Sequence, residues 1–546
     1  MVRDAGGSSD EDWIFAVDDP STLPTERLPD REEFDRYAAP LLPRSENETV
    51  DLSEVDVSAG VTADAPLEPP PITAPLRVPT YARSGITPNA EDDDPPPGGF
   101  EMPERFRDLG IFDGLRDVIA LICLVAALTM SFTDDQLPWL DGVAKAGVAT
   151  ALIALVVVHL LRWIPASPPL GLIRVVRVAG LLPALLAALA ALLADLVLAL
   201  PVLFAPLPEG PPMRIGAGVA LMLLGATVGI EPRAHEGFVP GADARRRART
   251  GLMVIAGVAL AGLLLALVMI IGRIPATGWQ YSLMTFANTM VSALLLGFVL
   301  SAALRRVPSW YVFCTGMTGA LVIGALADNT LRLQFAAPVS VATGYVYLPL
   351  LFAAFGVMIS RAFVRSMPIS FRRADWLVHS VRAVEFSVVM HSAAVLWHLL
   401  AVVAGRSAHT PGGPVLHVMD AVVCACFVAV SLFARNALIN RPATLARASG
   451  VVAAVVLVIV GFLAVIVNSV AAGTGAGLMT GGVALFLGIG VALMLTVPAP
   501  VRDEFGAPDL AQMFTDFRTR DAGRSSLLDR VPDVSAERSR KKSFPG

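Results

Sequence analysis

Three side chains in one apolar stretch are the best placed to do chemistry. Ser387, His391 and His398 stand at i, i+4 and i+11, on one face of a helix, and Ser380 extends the stripe. Histidine titrates near neutral pH, so this face reads as steps of a proton path. The two imidazoles are stacked about 10 Å apart along a helix axis, too far to ligate one metal ion together. The competing reading is that they hydrogen-bond to neighbouring helices and hold a bundle together. Asp195 lies about one turn from the end of another apolar stretch. It is either a proton or cation site or a side chain that reaches the interface or caps a neighbour. Asp195, Ser387, His391 and His398 together make a candidate intramembrane polar path. Glu385, Asp420 and His159 fall near the ends of apolar stretches, where an interfacial position is expected.

Other patterns carry less. Asp134 and Asp135 follow the first apolar segment, a place where polytopic glycosyltransferases using lipid-linked sugars carry acidic pairs. The loop holding them is short, and no large domain beside it would hold an acceptor. The run Gly473-Thr-Gly-Ala-Gly477 lacks the lysine of a phosphate loop and follows an apolar segment, so it reads as a tight turn. Cys123, Cys314, Cys424 and Cys426 all fall in apolar segments and read as small buried hydrophobes, with no disulfide or zinc framework. No catalytic, cofactor or metal motif stands out, and nothing points to nucleic acid as a partner.

The elements that must position these residues are unusually apolar. Of 546 residues 55% are hydrophobic and 16% charged, with a mean hydropathy of +0.64. A soluble chain of this size carries nearer a quarter charged residues. About twelve apolar segments, the first at 117–132 and the last at 477–497, each approach the length a helix needs to cross a bilayer. The histidine stripe lies in the ninth, 384–404. The expected fold is all-α: a polytopic transmembrane bundle of about 12 helices.

Charge divides the chain into three. Residues 1–104 hold 24 Asp and Glu against 7 Arg, with proline runs at 69–71 and 95–97. That composition cannot bury enough apolar surface to offset ordering, so this arm is expected to be disordered. Two islands within it, Trp13-Ile14-Phe15 and Phe34-Asp35-Arg36-Tyr37, read either as stray hydrophobes in a solvated tail, the favoured reading, or as docking motifs for a cytoplasmic protein partner. Residues 105–498 form the membrane domain. In the tail, 499–546, Leu510, Met513, Phe514 and Phe517 have the spacing of a short amphipathic helix, and Arg538 to Lys542 form a basic patch suited to anionic lipid.

The loops orient the ladder. Those after the even-numbered segments carry 18 arginines, and the opposite loops five basic residues. Basic loops stay cytoplasmic, so both termini are expected inside a plasma membrane crossed many times. Trp139 and Trp279 fall at the outer boundary, and Trp163, Trp310 and Trp376 at the inner one, where amphipathic rings prefer to sit.

Three stretches carry a family resemblance. They are Leu115-Arg-Asp-Val-Ile-Ala-Leu, Arg174-Val-Val-Arg-Val-Ala-Gly180, and the run from Gly218 to Gly-Ile-Glu-Pro-Arg-Ala-His235. The chain resembles a family of actinobacterial multi-spanning membrane proteins with no assigned function. There an Arg-Asp pair opens the first helix, a basic run precedes the third, and a Pro-Arg stretch ends the fourth. The resemblance covers about residues 105–500 and implies location and topology, without active residues.

Function narrows to two main readings. Twelve helices with both termini inside is a common plan of secondary transporters, often built as two six-helix repeats. Against the commonest such plan, the central loop is only Arg305-Arg306-Val307-Pro308. The longer inner loops instead follow segments 4 and 8. The alternative is a non-enzymatic membrane scaffold that recruits partners through its acidic arm. The lipid-linked-sugar glycosyltransferase is the third and weakest reading.

Overall fold

A computed structural model describes residues 110–515, apart from 134–136, 165, 202–212, 328–339, 368, 370–372, 406–412, 442, 473–477 and scattered positions after 506. The acidic arm, its two aromatic islands, Asp134 and Asp135, the glycine run 473–477 and the basic patch at 538–542 lie outside the described residues.

Among the described residues the fold is all-helical. In chain order the helices are α1 (Ile111–Thr129), α2 (Pro138–Trp163), α3 (Leu170–Ala199), α4 (Ala217–Ile230), α5 (Ala242–Thr277), α6 (Trp279–Leu304), α7 (Pro308–Ala327), α8 (Leu348–Met358), α9 (Arg373–Ala404), α10 (Pro414–Asn440), α11 (Ala443–Ala472), α12 (Val483–Thr496) and α13 (Ala499–Phe505). Each of the twelve apolar segments has its helix. Eight helices, α2, α3, α5, α6, α7, α9, α10 and α11, are long and apolar enough to cross a membrane, which marks a multi-pass membrane protein. Their outward faces carry exposed apolar side chains such as Leu160, Leu186, Leu264, Leu432 and Leu463, a surface suited to lipid and not to water.

The four remaining members differ for physical reasons. α1 is long enough, but its first two turns carry Asp113, Arg116 and Asp117. α4 and α8 have 14 and 11 residues. At 1.5 Å per residue they span about 21 and 17 Å, short of a hydrocarbon core of about 30 Å. Both are buried on nearly every face, as expected of helices apolar all round. They pack on each other at the centre. At Gly356 of α8, an added Cβ would lie 2.0 Å from Thr227 Oγ1 of α4, so the crossing needs glycine. α12 is also short and begins with a π-helical segment, Leu478–Gly482.

The short helices recur every four elements, and the packing recurs with them. In each set, α1–α4, α5–α8 and α9–α12, consecutive helices pack together and the first closes on the fourth. The third helix of each set also caps the fourth. Arg177 Nη1 of α3 donates to Gly229 O at the end of α4 (2.8 Å), Tyr311 Oη of α7 to Met358 O at the end of α8 (2.7 Å), and Arg447 Nε of α11 to Leu495 O in α12 (2.9 Å). α4 and α8 end among buried residues, where their last carbonyls find no water, so a neighbour must supply donors. Arg174 and Arg447, each the fifth residue of its helix, also bond backbone carbonyls of the segment after α4, at Glu236 and Gly237, and of the end of α13, at Phe505 and Gly506. Those two stretches reach Gly237 and Gly506, both at positive φ. The period is therefore four helices, where a pair of six-helix halves is the commoner plan.

Candidate functional site

The stripe predicted on α9 is buried and continues across three other helices. Ser387, His391 and His398 each have no solvent exposure. Ser387 Oγ lies 2.7 Å from Ser431 Oγ of α10 and 3.0 Å from His391 Nδ1. His391 Nε2 lies 3.3 Å from Thr480 O in the π-helical segment, and Thr480 Oγ1 lies 3.5 Å from His398 Nε2. His398 Nδ1 then lies 3.2 Å from His417 Nδ1 of α10. Thr480 thus bridges the gap between imidazoles that α9 alone leaves too wide. The resulting polar column covers about 16 Å along the axis from Ser387 to His398.

The column has a polar head. His398, His417 and Asp420 each offer a ligand atom within 4.8 Å of the others, and all three residues are buried. Asn468 Nδ2 of α11 donates to Asp420 Oδ1 at 2.7 Å. Asp420 Oδ2 and Asn468 Oδ1 are buried without a hydrogen-bond partner among the described residues. The Trp397 ring stands edge-on to both His398 and His417, at 5.0 and 5.7 Å. Asp420 is only 2% exposed, which corrects the expectation of an interfacial carboxylate. The carboxylate stands instead against His398 of α9 and Asn468 of α11.

At the other end the helices carry an ion cluster. Glu385 accepts from Arg382 Nη1 at 2.7 Å and from Arg435 Nε at 2.6 Å. Arg435 stands one turn from Ser431 on α10, so this cluster continues the same face. Arg382 also reaches Ser309 Oγ at 3.1 Å and lies over the Trp310 ring at 5.3 Å. Ser380 turns back to its own helix and donates to Trp376 O.

Asp195 stands with other elements. Its carboxylate accepts from Ser340 Oγ at 2.5 Å and from Val341 N at 2.8 Å, capping the 3-10 turn Val341–Thr343. Arg273 Nη1 donates to Ala342 O in the same turn. The structure therefore brings Ser387, His391 and His398 together, while Asp195 anchors the segment that leads into α8.

A second buried assembly joins the three stretches that carried the family resemblance. Arg116 pairs with Glu231 (2.5 Å) and Asp113 (3.5 Å), Arg233 with Asp117 (2.8 Å), and Arg177 with Glu236. Glu231 also accepts from the Arg361 and Ala362 backbone N–H groups at 2.7 and 3.0 Å, tying α4 to the turn after α8. Arg116, Arg177 and Arg233 are among the largest fully buried side chains. Counted as loop charges in the sequence, Arg177 and Arg233 are in fact internal cations matched to carboxylates. His159 lies 3.4 Å from Asp117 and stacks on His235 at 5.1 Å. Burial pulls the His235 imidazole down to about 4, helped by the charges of His159 and Arg177. Three of the four cysteines are buried as expected; Cys426 is exposed.

Sequence reasoning missed His417, Ser431, Asn468 and Thr480. A signal existed for one of them: His417 and Asp420 are spaced i, i+3, on a face adjoining the end of α9. Asn468 and Thr480 left no pattern, because only packing brings them near His398.

No curated protein and no solved structure matches the chain. One family does match, described as "Domain of unknown function (DUF7937)", over residues 113–504. That span begins at Asp113 and runs through all three four-helix sets, the buried ion assembly and the polar column; the chain belongs to this family.

Proposed function

We propose that the chain is a plasma-membrane protein with both termini cytoplasmic, and that it acts as a secondary-transporter-like carrier of a proton or small cation. In this proposal its twelve apolar segments all cross, the short α4 and α8 doing so together with their flanking segments inside a sheath of other helices. The observation that carries this reading is the continuous polar column through α9–α12. Polar groups inside a bilayer are costly and persist where they serve a path. Here Ser387, His391 and His398 hold successive positions along that path, and Glu385 with Arg435 lies at its proposed cytoplasmic end. In this reading Asp195 belongs to the framework, since its carboxylate is spent on Ser340 and Val341. The helical repeat supports the same class, because transporters are commonly assembled from repeated helical sets with short or broken helices at the site. The acidic arm, residues 1–104, then lies on the cytoplasmic side, where a protein partner reaches it.

The test is flux in proteoliposomes, followed with a pH-sensitive dye and with cation-selective dyes inside the vesicle. The wild-type protein should conduct above empty vesicles, and His391→Ala should reduce that flux at least tenfold. A silent wild type, or full flux in both His391→Ala and His398→Ala, removes the reading and leaves the scaffold.

A further inference from the structure

The head of the column has the composition and spacing of a metal site. We propose that His398, His417 and Asp420 bind one divalent transition-metal ion of the zinc class. This names the ligand of the column and rests on the reading of that column as functional.

Three observations converge. The Nδ1 atoms of His398 and His417 are 3.2 Å apart. Ligand nitrogens around a tetrahedral ion at about 2.0–2.1 Å are set about 3.3 Å from each other. The third ligand atom, Asp420 Oδ2, lies 4.0 Å from His398 Nδ1 and has no hydrogen-bond partner among the described residues, although the residue is buried. A buried carboxylate oxygen without a donor is costly unless a cation satisfies it. Finally, supporting contacts hold the ligand side chains in place. Asn468 takes the other Asp420 oxygen at 2.7 Å, and Thr480 Oγ1 stands at the far nitrogen of His398. Such outer contacts orient ligands in metal sites.

The donor set selects the ion. Two imidazoles and one carboxylate suit Zn2+ and its neighbours, whereas Mg2+ and Ca2+ require six or more oxygens. Three protein ligands leave the fourth position open for water or for exchange, as in sites where the ion is not a permanent staple. α9 and α10 supply all three ligands, so occupancy also cross-links the two helices.

The experiment is titration of Zn2+ into the chelator-stripped, detergent-solubilised full chain, read by calorimetry, with Co2+ absorption as a second probe. The expected result is one equivalent of Zn2+ bound and a tetrahedral Co2+ spectrum. His417→Ala and Asp420→Asn should each weaken binding at least tenfold, while His159→Gln at the other end of the bundle leaves it unchanged. Asp420→Asn is nearly isosteric, so it stands if His417→Ala fails to fold. Absence of stoichiometric Zn2+ in the wild type overturns the proposal, as does unchanged affinity in Asp420→Asn, or Mg2+ binding as tightly as Zn2+. Binding in detergent is separate from flux. Tight Zn2+ binding without flux removes the carrier and keeps the site; flux without Zn2+ binding removes the site and leaves a proton path.

Discussion

His398 of α9 and His417 of α10 face each other through their Nδ1 atoms at 3.2 Å, both buried, with Trp397 edge-on to each ring. They are 19 residues apart in sequence. Two imidazoles in this arrangement either share one proton in a hydrogen bond or share a cation, and both make the pair a coupled unit. In metal-free buffer the His398→Ala and His417→Ala variants should therefore be non-additive. A double-mutant cycle on unfolding free energy should give a coupling of about 1 kcal/mol. Strict additivity would mean the rings are neighbours only.

The Arg177–Glu236 pair is buried with no exposure on either side chain. Removing one partner leaves an uncompensated charge away from water, which costs about 3–5 kcal/mol. Glu236→Gln and Arg177→Met should each lower the thermal midpoint sharply. The double variant Arg177→Met/Glu236→Leu should recover a large part of the loss, because the desolvation penalty goes with the pair.

Stability should fall on mild acidification, and His235 should account for a share of it. The unfolded imidazole takes up a proton near 6.5, while the folded one stays neutral down to about 4. Between those values the unfolded chain binds more protons. Stability present above about pH 6.5 is therefore lost as the pH falls toward 4. The thermal midpoint of His235→Gln, followed from pH 7 to pH 4, should show a shallower slope than the wild type. Equal slopes would place the effect elsewhere.

The centre of the fold is a close crossing of α4 and α8. A Cβ at Gly356 would lie 2.0 Å from Thr227 Oγ1 and 2.9 Å from Thr227 Cβ. Gly356→Ala should destabilise by about 1–3 kcal/mol through overpacking. Adding Thr227→Ala should restore part of that, since the nearest clashing atom is then gone.

Orientation is open to direct measurement. Arg246, exposed in the first turns of α5, lies on the proposed cytoplasmic side. A cysteine placed there should react with an impermeant thiol reagent only after the membrane is opened. Labelling in intact cells would invert the topology.

Much of the framework was legible because burial in lipid leaves a coarse mark. A helix that crosses hydrocarbon must be apolar over about 20 residues, and each of the twelve segments found by that rule became a helix. The boundaries shifted where polar turns extend a helix beyond the apolar window, as in α5, which starts at Ala242 and carries four arginines in its first two turns. Hydropathy could not tell a spanning helix from a short central one. α4 and α8 are as apolar as their neighbours, and only their partners show that protein surrounds them.

The site divides along the same line. One helix has one periodicity, so Ser387, His391 and His398 could be placed on a shared face from spacing alone. The same logic set His391 and His398 about 10 Å apart along the helix, too far to share one ion. The i, i+3 spacing of His417 and Asp420 was visible too, but nothing in the sequence set that pair, or Asn468 and Thr480, beside His398, because distance between helices is decided by packing at glycines and small residues, not by order in the chain. Likewise Arg177 and Arg233 looked like loop charges until Asp117 and Glu236 were found against them. Composition and period determined that this is a helical membrane protein with a polar stripe on its ninth apolar segment. The tertiary structure decided that the stripe is one wall of a four-helix column with His398, His417 and Asp420 at its head, since side-chain contacts between helices are three-dimensional facts that no one-dimensional spacing records.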